Sequence, residues 1–192
     1  GAEQSFVLLD EWAPDPYRPD RDEALATIAL RYFRSHGPTT LRDFAGWTGL
    51  TVTDARRGVA AAGDRLATVS VEGTPMHLAP ALLDGPPPAP PAGDLLVLPG
   101  FDEYLLGYKD RSMMVAEQDM QAVVPGGNGV FQATVVRDGR VVGTWKRTLG
   151  ATAVRISVRP LVTLGRGDRT RVERAFDGYA RFVRRSPDVR WL

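Results

Sequence analysis

With 192 residues, 43% apolar and 24% charged, the chain can build a real core as one or two globular domains. It holds no cysteine, which excludes disulfides and thiolate metal sites and fits a cytoplasmic protein; no apolar run reaches membrane-spanning length, and no signal-peptide pattern is present. The net charge of +1 hides an asymmetry: residues 1–136 carry 10 basic and 18 acidic side chains, residues 137–192 carry 14 and 5. An anionic partner for the C-terminal part would explain that split, and so would neutralisation at an internal interface. Lysine occurs only as Lys109 and Lys146, an arginine bias that suggests a GC-rich genome.

In chain order, residues 1–19 read as a strand, Phe6–Leu9, followed by a stiff connector at Pro14, Pro16 and Pro19, the remains of a preceding domain. Residues 20–83 read as one domain. Asp20 with Glu23 opens a helix to His36, with Leu25, Ile28, Ala29 and Tyr32 as its apolar stripe and Leu30 and Phe33 beside it; Gly37-Pro38 stops it. Thr40 with Asp43 caps a helix over Leu41–Thr48, and Thr51 with Asp54 caps another over Val52–Ala62, with Val52, Ala55 and Val59 inward. The tight Gly49 turn between them gives a helix-turn-helix. Strand-like runs Leu66–Val71 and Met76–Leu78 add a wing, so the order describes a winged helix. Its second paired helix would enter a major groove with Thr53, Arg56 and Arg57 outward. Asp54, Asp64 and Glu72 argue against that use, and winged helices also serve as protein-interaction modules.

Residues 84–94 form a proline-rich linker, and 95–192 a C-terminal unit. After the apolar run Leu95–Leu98, the spacing of Phe101, Tyr104, Leu105 and Tyr108 predicts one stripe of a short helix. Asp102 and Glu103 are adjacent, point about 100° apart and so do not face each other, which favours packing architecture over a carboxylate pair. Pro125–Gly129 reads as a loop, without the spacing of a phosphate-binding P-loop.

Asp138-Gly139 signals a β-hairpin within residues 131–148. A two-residue turn would pair Arg137 with Arg140, Val135 with Val142, Ala133 with Thr144 and Phe131 with Lys146. Like charges facing each other at the tip, with Lys146 and Arg147 further down, suggest an anion; a tip splayed into water is the bland alternative. Ala153–Leu164 reads as a strand. Residues 168–185 read as a helix with Val172, Ala175, Phe176, Tyr179, Phe182 and Val183 inward, and Arg171, Arg174, Arg181 and Arg185 along another face. That strip beside a basic hairpin would suit a phosphate backbone, as solvated arginines would suit a GC-rich genome. Two histidines and no cysteine leave no usual metal site, and no cofactor motif is present.

The stretches Ser35–Leu50, Leu98–Arg111 and Gly139–Trp145 resemble the winged-helix DNA-binding family that contains the AlkZ-like DNA glycosylases, bacterial enzymes that unhook interstrand crosslinks. The similarity runs from Phe6 to about Val183. It implies winged-helix units around a β-barrel-like scaffold, an α+β fold, and a basic hairpin placed towards double-stranded DNA. The family's catalytic Gln-x-Gln motif belongs to a unit upstream of Gly1, and Gln118 and Gln121 have the wrong spacing to replace it. The chain is therefore expected to bind DNA in repair of alkylated or crosslinked bases, with no catalytic residue of its own. A structural or protein-interaction module is the alternative.

Overall fold

The computed structural model describes residues 5–85 and 95–192 and divides into two compact units, meeting between Ala81 and Leu82. Most of the 84–94 linker lies outside the described residues. The fold is mixed α+β.

In the first unit, Phe6–Leu8 are exposed and extended, and one helical turn, α1 (Leu9–Trp12), replaces the expected strand. No ladder partner is paired to that segment among the described residues. Helix α2 (Arg21–His36) starts where Asp20 accepts the Glu23 amide, while the Glu23 carboxylate accepts the Tyr17 hydroxyl. Helix α3 (Leu41–Thr48) has a full capping box between Thr40 and Asp43, and α4 (Val52–Ala62) is capped by Thr51. Between them Gly49 takes a left-handed conformation (φ 71°), which suits glycine. The core holds Ala29, Tyr32, Phe33, Phe44, Ala45 and Ala55. Ile28 and Val52, expected inward, are exposed because each lies at the margin of its stripe.

Strands β1 (Ala67–Val71) and β2 (Thr74–Leu78) pair antiparallel around Glu72-Gly73, and an isolated bridge joins Thr39 to His77. Helices α2 and α4 approach closely at Gly58, where an added Cβ would lie 2.8 Å from the Leu25 carbonyl oxygen. Gly58→Val is therefore expected to destabilise this unit by about 1–3 kcal/mol through overpacking, read as a lower urea midpoint; an unchanged midpoint would refute the close approach.

The second unit is built on a five-stranded sheet ordered β3 (Leu95–Leu98), β4 (Ala133–Arg137), β5 (Arg140–Leu149), β6 (Ala153–Pro160) and β7 (Ser186–Trp191). All neighbours are antiparallel except β6 and β7, whose parallel pairing is connected by α7 (Arg166–Phe182). Helix α7 covers one face through Val172, Phe176 and Ala180, against Val135, Val142, Trp145, Val154, Ile156 and Val158. Part of the opposite face is covered by the segment with α5 (Glu103–Leu106) and α6 (Met120–Val123), through Leu105, Val115, Val123, Phe131, Val136 and Val141.

Several expectations change here. The residue stripe at 101–108 is not one helix: Phe101 lies before α5 with φ 60° and 57% exposure, and Asp102 caps the helix through the Tyr104 amide. The hairpin turns at Asp138-Gly139, both with positive φ, and Arg137 faces Arg140. A β-bulge then leaves Val142 without a partner, so Val135 pairs with Gly143 and Ala133 with Trp145. The bulge shifts the alternation by one, so Val142 and Trp145, three residues apart, both enter the core under α7, while Val141 enters the opposite one. Strand β6 ends at Pro160, and α7 ends at Phe182, which is 84% exposed. Arg184 adopts φ 54°, so Arg185 lies beyond the helix and off the expected strip.

Candidate nucleic-acid interface

The second face of the sheet is left open over β5, β6 and β7. Along β6 the alternation is strict: Val154, Ile156 and Val158 are buried towards α7, while Arg155, Ser157 and Arg159 alternate with them on the other face. The register sets Arg159 beside Thr144, Ser157 beside Lys146 and Arg155 beside Thr148 on β5. On β7, Asp188 pairs with Arg155 and Arg190. These two guanidiniums, Arg190 first, hold the Asp188 carboxyl below its usual range. Lys146 and Arg159 are exposed and have no carboxylate partner among the described residues. Four cations thus share one sheet face with a single aspartate.

The hairpin is seated from its turn downward. The Tyr104 hydroxyl donates to the Gly139 carbonyl (2.5 Å), and the Val141 amide donates to the Met114 carbonyl (2.8 Å). Burial raises the Tyr104 pKa, so the phenol stays a donor well above neutrality. Arg111 donates to the Leu105 carbonyl and stacks over Phe131, and Asp110 accepts the Ser112 amide. Arg140 remains exposed, and among the described residues it has only a long 3.5 Å contact to the Ser112 carbonyl. Arg137 is bound to Asp168 at 2.8 Å and is partly buried. Asp168 also binds Arg171 at 2.6 Å and accepts the Gly165 amide. Arg171 first, then Gly165 and Arg137, keep its carboxyl below the usual range. The Arg137–Asp168 pair therefore fastens the hairpin to α7, and Arg171, one turn along the same helix, shares that carboxylate.

The remaining candidates fare differently. Arg147 donates to the Tyr179 hydroxyl, and Arg185 to the Gly150 carbonyl. Arg174 and Arg181 are exposed on α7, but Asp177, three residues after one and four before the other, interrupts their strip. On α4, Thr53 and Arg56 are exposed, whereas Arg57 is hydrogen-bonded to Asp22, which raises its pKa. Arg21 similarly holds Asp54 (2.8 Å). His36 stacks on Tyr32 at 4.5 Å and His77 meets Phe33 edge-to-face at 5.2 Å, so both serve packing, and burial lowers the His77 pKa. No metal-binding group of side chains occurs among the described residues.

Sequence reasoning missed Arg155, Arg159 and Arg190. The alternation Val154-Arg-Ile-Ser-Val-Arg159 carried the signal for two of them; Arg190 needed a strand that the sequence did not announce. Chemically, this face can neutralise anions and donate to phosphate oxygens.

The AlkZ-like DNA glycosylase family matches residues 1–182. An interstrand DNA cross-link repair glycosylase from Streptomyces sahachiroi is 32% identical over 131 residues, covering 67% of this chain and 35% of that protein. The solved structure of Streptomyces sahachiroi DNA glycosylase AlkZ matches with a TM-score of 0.76 at 30% identity, over 94% of this chain and 48% of that one. The chain thus spans half or less of the length of these relatives.

Proposed function

This chain belongs to the AlkZ-like DNA glycosylase family, and on that premise we propose that it supplies duplex-binding surface for repair of alkylated or crosslinked bases. The observation that carries this reading is the open sheet face with Lys146, Arg155 and Arg159, continued at the hairpin tip by Arg140. A duplex carries one phosphate charge per about 1.7 Å of axis, so cations spread over such a face can bind several phosphates together. The first unit is read as a winged helix. Its helix order, the two-stranded hairpin and the Thr39–His77 bridge support that reading. Thr53 and Arg56 are its groove-facing candidates; Arg57, held by Asp22, favours a structural role for that side of α4. Kinship with a Streptomyces repair enzyme points to a bacterial cytoplasmic setting.

Four phosphate contacts predict that log affinity for a 20-base-pair duplex falls with log salt at a slope of about −3.6. Fluorescence anisotropy between 50 and 200 mM salt measures this. Affinity independent of salt would end the proposal.

A further inference from the structure

Beside the cationic face lies a groove of about 340 Å³, lined by Gln121, Ala122 and Pro125 together with Lys146, Ser157 and Arg159. We propose that this groove holds a single unpaired nucleotide, its base inside and its phosphate between Lys146 and Arg159. The inference rests on the DNA-binding reading above.

The size fits one small ligand: sites of this kind run from about 300 to 1,000 Å³, whereas a duplex is far too wide to enter. The chemistry is divided. Ala122 and Pro125 offer apolar surface to the faces of a flat ring, while Gln132, Thr144 and Ser157 add polar groups. Gln132 has no side-chain partner among the described residues, so its amide presents both a donor and an acceptor, the pairing that matches the N6 and N7 edge of adenine. The Gln121 carbonyl already accepts the Gly126 amide (3.1 Å), which leaves its NH2 group to donate.

Lys146 and Arg159 are diagonal neighbours across the β5–β6 ladder, since Lys146 faces Ser157 and Thr144 faces Arg159. Side chains so placed reach the same point above the sheet. Two cations, diagonal neighbours that both line a groove with apolar and amide groups, suit a phosphate attached to a base. Either a free phosphate or a purely apolar ligand would leave half of these groups unused.

The test compares three duplexes: one with a single bulged adenine, one with a bulged abasic site, and one fully paired. The protein is expected to bind the bulged adenine about tenfold more tightly than either of the others. Ala122→Phe, which fills the groove, should abolish that preference, and Gln132→Leu should reduce it about threefold. Affinity for the paired duplex should stay within twofold in both. Equal wild-type affinity for all three duplexes would overturn the nucleotide site and leave duplex binding standing. Should no duplex bind, the DNA-binding reading fails, and single-stranded dA4 decides the groove independently. A saturable shift of the Gln132 side-chain amide signals, lost in Ala122→Phe, would sustain the site; unshifted signals would overturn it.

Discussion

Replacing Arg140, Lys146 and Arg159 together by alanine is expected to weaken duplex binding on the order of 100-fold at 50 mM salt. The same change should flatten the salt slope by about 2.7, because each phosphate contact contributes roughly 0.9. None of these three has a carboxylate partner among the described residues. Arg155 and Arg190 share Asp188, and Arg137 and Arg171 share Asp168, so part of their charge is already answered. Arg137→Ala is the informative contrast. It should lower thermal stability by loosening the hairpin from α7, and change the salt slope by much less than one contact. Arg174→Ala with Arg181→Ala should cost under about threefold, since Asp177 between them makes that strip a poor phosphate contact in the wild type. A triple variant with the wild-type slope would move the interface off the sheet face.

The helices were legible because each carries its own boundary chemistry. Asp20, Thr40 and Thr51 accept the amides that their positions announce, and Gly49 turns the chain as a glycine should. The Asp138-Gly139 turn was legible for the same reason. What could not be read locally was set by packing on two sides of one sheet. The bulge at Val142 puts Val142 and Trp145, three residues apart, in the same core, a break in alternation that no local propensity announces. Strand β7 has no alternation of its own and contains Pro187, which an edge strand tolerates; its pairing with β6 is a tertiary fact. The candidate site suffered from the same blindness. An arginine strip on α7 is visible on a helical wheel, whereas ion pairs to Asp168 31 residues from Arg137, or to Asp188 33 from Arg155, are not. Which cations remain available to an anion is decided by those partners, not by the arginine count.

Trp145→Ala is expected to destabilise the second unit by about 3–5 kcal/mol, the cost of deleting a buried aromatic. Trp145 is 6% exposed and meets Phe176 edge-to-face at 5.0 Å, with Tyr179 at 6.0 Å, so it joins β5 to α7. Its indole N–H also donates to the Leu98 carbonyl at 2.9 Å, reaching from β5 across β4 to the end of β3. Trp145→Phe helps separate the two contributions: it keeps one aromatic ring in the core and removes the donor with only part of the indole's bulk. That variant should cost about 1–3 kcal/mol, the range for a buried acceptor left unmade. Urea titration followed through the amide signals of Val154, Ile156 and Val158 reads both values in the unit concerned. A cost under about 1.5 kcal/mol for Trp145→Ala would mean that the sheet and α7 hold together without this ring. Equal costs for the two variants would instead place the stability in the bond to Leu98, making the link between the strands, and not the contact with the helix, the part that fixes the open face.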